Sequence, residues 1–192
     1  RKYIMKNEEI LEYLKKNIKK KRYHHILRVA DTAEKLAIVH DIPADKVYTA
    51  ALLHDCAKGN EGSLLKDYKN IIVNEWVSLE EELKEKSLIH GPLAGIIARD
   101  VFGIEEKDIL NAVIYHTTGR ENMTKLEKIV FLADKLEPKR DYPGVDKIRE
   151  TAQIDLEKAM LLTIDNTMTY LIENQELIAV ITVKTRNNIL RR

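Results

Sequence analysis

Val47-Tyr48-Thr49-Ala50-Ala51-Leu52-Leu53-His54-Asp55-Cys56-Ala57-Lys58 is the stretch on which the fold turns. Val47, Ala50, Ala51, His54 and Lys58 recur at spacings of three and four, which places them on one helix face. That face is apolar until it reaches His54, with Asp55 beside it. The same pattern returns in Ile109, Ala112, Val113 and His116, an inward stripe that ends in histidine. Asp134 stands four residues after Val130 in the apolar run Val130-Phe131-Leu132-Ala133, and His25 stands four residues before Val29. A buried carboxylate without partners is costly. Two aspartates and several histidines on inward faces therefore need something to compensate them. A divalent cation does so directly, because neutral imidazole and carboxylate are its ligands and separate helices can each deliver one or two. Any one of these histidines alone is more often a packed core residue. His40, between Val39 and Asp41, has only that context and reads as structural.

The rest of the chain is helical in pattern. Its 192 residues, 44% hydrophobic with only seven glycines and four prolines, suit one compact domain. The strand formers are scattered among Lys, Glu, Leu and Ala, which predicts an all-α fold. A first helix is expected from about Glu8 to Lys20, and a second after Tyr23 with Ile26, Val29, Ala30, Ala33, Leu36 and Ala37 as its stripe. Pro43 suits a helix start, and Gly59 the stop of a helix carrying Val47 to Lys58. Pro92 and Gly103 bracket another, and Thr124 with Glu127 forms a capping-box pattern. A charged surface helix is expected over Glu75 to Lys86. One long C-terminal helix is expected from about Ile154, including Leu177 to Val183 despite its β-branched residues.

Lys and Arg number 32 against 31 Asp and Glu. That balance argues against a nucleic-acid coat or a membrane-surface protein, though a small anionic substrate needs only local positive charge. The basic run Lys15-Lys16 and Lys19-Lys20-Lys21-Arg22 reads as the exposed side of the first helix. No apolar run approaches a membrane span, and the N-terminus does not read as a signal peptide. Cys56, the single cysteine, allows no internal disulfide, so the expected compartment is the reducing cytoplasm.

In order, His25, His54-Asp55 and Asp134 resemble the H…HD…D pattern of the HD superfamily of metal-dependent phosphohydrolases. Five blocks are similar to its bacterial YqeK-type branch: Arg22-Tyr23-His24-His25, Ala50 to Lys58, His90-Gly91-Pro92, His116-Thr117-Thr118-Gly119 and Ala133 to Arg140. The resemblance implies an HD-domain helical bundle with a motif core over about 22–140 and a C-terminal helical extension over about 141–192. It implies that His25, His54, Asp55 and Asp134 hold one metal ion, and that His90 and His116 take a second ion or contact phosphate. The register of Val29-Ala30 selects His25 over its neighbour His24, which points about 100° away on a helix. The activity implied is symmetrical hydrolysis of diadenosine tetraphosphate to two ADP, with iron as the metal.

A mechanism follows for such a site. The metal acidifies a bound water, Asp55 serves as ligand and proton acceptor, and Lys58 neutralises charge on the phosphate chain. Arg140 is either a phosphate clamp with its planar fork or a surface residue. Lys58 as a solvated helix terminus is the plainer alternative, and Thr117 to Gly119 serve phosphate or simply end a helix. Mixed imidazole and carboxylate ligation suits manganese, cobalt, nickel or zinc as well as iron. The same ligands fit an HD enzyme acting on a nucleoside monophosphate, a deoxynucleotide or a cyclic nucleotide, or a low-turnover nucleotide sensor. A structural module with accidental His and Asp placement is the remaining rival. A homodimer stays open, with Trp76-Val77 or the C-terminal helix as surfaces for it.

Overall fold

Helix α7 (Lys125–Leu136) is the element around which the others are laid. Its start is set by the expected capping box: Glu127 N–H donates to Thr124 Oγ1, and Thr124 N–H donates to the Glu127 carboxylate, each at 3.3 Å. Leu126 through Asp134 are buried without interruption, which marks a helix covered on all sides rather than one with a wet face. It packs against α2 (Lys20–Val39), α3 (Ala44–Leu53), α6 (Lys107–Ile114), α8 (Val145–Ala152) and α9 (Leu156–Glu173). Around this centre, α1 (Lys2–Asn17) lies on α3, α5 (His90–Asp100) joins α6 to α3, α4 (Glu61–Glu75) lies on α5, and α10 (Val180–Leu190) returns on α9.

The computed structural model describes residues 2–75, 85 and 87–191, with side chains described for 6–68, 85 and 87–191. The described residues form an all-α bundle with no strand among them. No helix among them is long and apolar enough to cross a membrane. The charged helix expected over Glu75 to Lys86, with Trp76-Val77, falls almost wholly outside the described residues.

Three expectations about element bounds change. The first helix spans Lys2–Asn17 rather than about Glu8 to Lys20, and α2 already begins at Lys20. The helix carrying His54 stops at Leu53, and residues 54–59 form successive turns that Gly59 closes at φ 91°. Only glycine takes that conformation without strain. The long C-terminal helix is two. Its break spans residues 174–179, where Gln175 adopts φ 56°, and Val180–Leu190 then resumes as helix rather than strand. α10 is seated on the turn after α6. A Cβ on Gly119 (φ 69°) would lie 2.7 Å from the methyl of the buried Thr185.

Candidate active site

Helices α3 and α6 both end one residue or two before a histidine, and both histidines are fixed in the same way. His54 donates Nδ1–H to the carbonyl of Ala51 at 2.6 Å, and His116 donates Nδ1–H to the carbonyl of Val113 at 2.7 Å. Each side chain thereby satisfies a carbonyl that the ending helix leaves open, and each leaves Nε2 as the nitrogen with a lone pair. His54 is completely buried, and its Nε2 has no hydrogen-bond partner. A buried nitrogen left in that state is normally filled by something, and a cation suits a lone pair.

Its surroundings supply the rest of a ligand set. His54 Nε2 lies 3.5 Å from Asp55 Oδ2 and 3.9 Å from Asp134 Oδ1. From α2, His25 Nε2 approaches Asp134 Oδ1 to 3.0 Å. The other ring nitrogen of His25 gives its hydrogen to Glu137 Oε1 at 3.1 Å, so in neutral His25 the Nε2 facing Asp134 carries a lone pair. His25, His54 and Asp134 each offer a ligand atom within 4.8 Å of the others, and so do His54, Asp55 and His116. Convergent lone pairs on imidazoles and carboxylates repel one another unless a proton or a metal ion lies between them. This donor set fits a divalent metal. Burial opposes charge on His54, yet Asp55 and Asp134 outweigh it and raise its pKa. The same carboxylates favour a metal ion in the proton's place.

Asp55 is the hub of the second half. Arg22 donates to its Oδ2 at 2.7 Å, and His90 Nε2 lies 3.3 Å from its Oδ1. Burial would raise the Asp55 carboxyl, but His54, His116 and His90 bring it well below the usual range. Lys58 Nζ donates to His90 Nδ1 at 3.0 Å, so neutral His90 carries its hydrogen on Nε2 and gives it to His116 Nε2 at 3.0 Å. Burial, reinforced by the neighbouring His116, lowers His90 to about 2; burial and His54 lower His116 to about 4. Both rings are thus neutral. The approach of α5 to α6 that allows this contact depends on Gly91, where a Cβ would meet the Ile114 carbonyl oxygen at 2.4 Å.

Asp134 is held from the opposite side. Lys135 donates to Oδ2 at 2.6 Å and Arg140 to Oδ1 at 2.8 Å. Against burial, these cations and His25 and His54 keep it well below the usual carboxylate range. Glu137 receives Arg28 through two bonds, at 2.6 and 3.1 Å. Burial would raise Glu137, and Arg28, the Lys139 backbone N–H and His25 bring it down to about 2.

The structure therefore brings His25, His54, Asp55, His90, His116 and Asp134 into one buried cluster. Lys58 sits at its His90 end and Arg140 on Asp134. His24 is exposed, and His40 serves the frame by bonding the Ala152 carbonyl. The basic run is not simply a solvent face. Arg22 pairs with Asp55, and Lys19 and Lys21 line a groove beside His25. Sequence reasoning missed the roles of Arg22, Arg28 and Glu137. For Arg22 and Glu137 the available signal was their place in the blocks around His25 and Asp134, whereas Arg28 lies outside those blocks; the contacts that define these roles span 33 to 112 residues.

The four rings form a row, His25, His54, His116 and His90, with successive centroids 5.6, 4.9 and 4.9 Å apart. A cavity opens at each end. At the His25 end a groove of about 580 Å³ is walled by Lys19, Lys21, Arg22, Arg28, Lys139 and Arg140. At the other end Thr117, whose hydroxyl lies 3.4 Å from His90 Nε2, enters a cavity of about 550 Å³ between the His116 turn and the C-terminal helices. Leu88, Phe131, Ile164 and Leu171 give that cavity apolar walls, with Thr118 and Thr182 among its polar groups.

Residues 22–139 match the family model described as HD domain. A protein of Halalkalibacterium halodurans named symmetrical bis(5'-nucleosyl)-tetraphosphatase is 36% identical over 187 residues, covering 97% of this chain and 98% of that protein. Proteins of the same name are 36% identical in Bacillus subtilis, covering 90% of this chain and 91% of that one, and 38% identical in Staphylococcus aureus, covering 88% and 87%. Among solved structures, an HD superfamily hydrolase from Clostridium acetobutylicum, described as involved in NAD metabolism, superposes with a TM-score of 0.88. It is 39% identical and covers 97% of each chain.

Proposed function

The chain belongs to the HD domain family, and from that premise we infer that it is a metal-dependent phosphohydrolase that cleaves diadenosine tetraphosphate symmetrically into two ADP. The observation that carries the reading is the buried, unpartnered His54 Nε2 facing two carboxylates and the Nε2 of His25. Proteins similar over nearly their whole length carry the name of that activity, which supports the substrate.

In this reading His25, His54, Asp55 and Asp134 hold the ion, with iron as the proposed metal. When bound, the ion supplies a water acidified toward neutrality and positive charge for a phosphoryl oxygen. Asp55, held as a carboxylate, accepts the proton of the attacking water. Lys58 and His90 are hydrogen-bonded to each other and present an ammonium and a neutral ring toward phosphate oxygens. His90 and His116 either contact those oxygens or share a second ion with Asp55. Arg140 orients Asp134 and offers the rest of its guanidinium to the phosphate chain in the groove. The motif core of about 22–140 and the extension of about 141–192 act as one domain, since α9 packs directly on α7. The reading carries a cytoplasmic location with it. Exposed Tyr170, Ile172, Leu177 and Leu190 on the C-terminal segment give a homodimer a face to use.

The test is product analysis after anaerobically purified, iron-loaded protein meets diadenosine tetraphosphate. ADP as the sole nucleotide product is expected. ATP plus AMP would overturn symmetrical cleavage, and no turnover with metal bound would overturn the substrate. His54→Ala and Asp55→Ala are expected to lose metal and turnover together while keeping helical circular dichroism, and Lys58→Ala to keep metal and lose kcat.

A further inference from the structure

A third cavity lies against the loop that follows α7. Among the described residues it shares no lining side chain with either cavity beside the imidazole row. It arises because α2 and α8 both pack on α7 while leaving a gap over its last turn. Thr32, Lys35 and Leu36, spaced by three and four, form the α2 wall, and Arg149, Ala152 and Gln153 form the α8 wall. Leu36, Leu136 and Ala152 are buried and give the cavity an apolar base, with Pro138 exposed beside them. Its volume of about 410 Å³ suits a small ligand, and an apolar base with a few polar groups is the usual make-up of such a site. The polar groups select for charge, since the lining holds two cations and no acid. Lys35 is exposed at the rim. Arg149 keeps one Nη1 hydrogen beyond the four bonds it makes among the described residues. An anionic group answers these cations, and a flat ring answers Leu36, Leu136 and Pro138.

Two bridges lead from this cavity to the imidazole row, and both pass through Glu137. Arg149 donates to the carbonyls of Leu136, Glu137 and Arg140 at 3.0, 3.0 and 2.7 Å, so it holds the loop that carries the Glu137 side chain. Thr32 donates to the carbonyl of Arg28 at 2.7 Å, and Arg28 holds the Glu137 carboxylate at 2.6 and 3.1 Å. We propose that the cavity is a regulatory site for a small organic anion, a carboxylate or phosphate borne on one flat apolar ring, and that its occupation tightens the proposed metal site. The regulatory half rests on the phosphohydrolase reading above, and the binding half does not. A ligand seated between Arg149 and Pro138 favours the loop position in which Glu137 faces His25. Metal and ligand then strengthen one another by the same factor, because coupling between two sites is reciprocal.

Isotope-labelled, metal-free protein is titrated with benzoate, phenyl phosphate and inorganic phosphate while backbone amide resonances are followed. Saturable shifts at Lys35, Ala152 and Gln153 are expected with a ringed probe and not with inorganic phosphate. The tighter of benzoate and phenyl phosphate then identifies the anionic group. No shifts there with either ringed probe, or equal shifts with inorganic phosphate, would overturn the assignment. Thr32→Trp fills the cavity and Lys35→Glu reverses charge at its rim. Each is expected to abolish the shifts while leaving turnover of diadenosine tetraphosphate without the probe unchanged. Shifts that persist in both variants would place the ligand elsewhere. Metal affinity, measured by competition with a chelator, is expected to rise about fivefold or more when the cavity of the unmutated protein is saturated, and in neither variant. Unmoved metal affinity with the probe bound would overturn the regulatory role. Turnover without any probe, measured on the same preparations, tests the phosphohydrolase reading separately.

Discussion

At the scale of single residues, the cluster is built from side chains whose second polar atom is already committed. His54 and His116 spend Nδ1 on their own helix ends, and His25 spends Nδ1 on Glu137. Glu137 thereby sets which nitrogen of His25 faces Asp134, and Arg28 keeps Glu137 ionised for that task. Such partners of metal ligands typically account for roughly 10–100-fold in metal affinity. Glu137→Gln is therefore expected to weaken metal binding by that order, measured by competition with a chelator, while helical circular dichroism is retained. Unaltered affinity would show that His25 is oriented by packing alone. His54 and Asp134 were legible because each interrupts an apolar stripe. Glu137 and Arg22 were not, because a charged residue at a helix end is ordinary until its distant partner is known.

Protons report on the same residues. His90 and His116 are held neutral in the folded protein, at about 2 and about 4, well below the ordinary histidine value of 6.5. A depressed folded value means that the unfolded chain takes up protons first as pH falls. Their contribution is complete above pH 6.5 and is lost downward from there, to about 4 for His116 and about 2 for His90. His54, whose pKa is raised, acts above 6.5 and does not offset this slope, and Asp55 and Asp134 enter only below the carboxylate range. The metal-free protein should lose about 1.4 kcal/mol of stability per pH unit for each of the two rings between pH 6 and 5. Denaturation midpoints that stay constant between pH 7 and 5 would show that the rings protonate in place.

At the scale of elements, the site depends on how helices end. α3 and α6 end at their histidines, and α7 ends in a loop that α8 ties down. Arg149 of α8 donates to the carbonyls of Leu136, Glu137 and Arg140 at 3.0, 3.0 and 2.7 Å. These bonds fix the loop that carries Glu137 toward His25 and Arg140 toward Asp134. Arg149→Ala is expected to cost about 1–3 kcal/mol by leaving part-buried carbonyls unsatisfied. It should also raise the metal requirement for turnover. Arg149→Lys should recover only part of both, because an ammonium lacks the planar fork that bridges several acceptors. Full activity and an unshifted Tm in Arg149→Ala would show that the loop holds itself. Glycine and capping signals were enough to foretell α5 and α7. The stop of α3 at Leu53 was hidden because the apolar spacing continues through His54 into the turn. The break before α10 was hidden because Gln175 turns the chain at positive φ without a glycine or proline to announce it.

At the scale of the whole molecule, the proposed ligand set joins α2, the end of α3 and α7, with His25 and Asp134 separated by 109 residues. An ion bound only by the folded form stabilises it by about 2.7 kcal/mol at a hundredfold excess over its Kd. Chelation of the loaded protein is thus expected to lower Tm by on the order of 5–10 °C. An unchanged Tm on verified metal loss would mean that the cluster is satisfied without an ion. The all-α class was legible from composition and period. The charge and shape of the two flanking cavities were not, because each is assembled from elements far apart in the chain.

The chain is made from its N-terminal end, so His25 and the His54-Asp55 turn exist long before residue 134 leaves the ribosome. Within that interval His54 can already be aimed, since its lock on Ala51 spans three residues and needs only the end of its own helix. His25 cannot, because the Glu137 that orients it lies 112 residues downstream. Completion of the proposed metal site therefore waits for α7 and its trailing loop. In the proposed assignment a chain ending before α7 holds three of the four ligands and lacks Asp134, and one ending before the trailing loop lacks the Glu137 that orients His25, so the ion would join late in maturation.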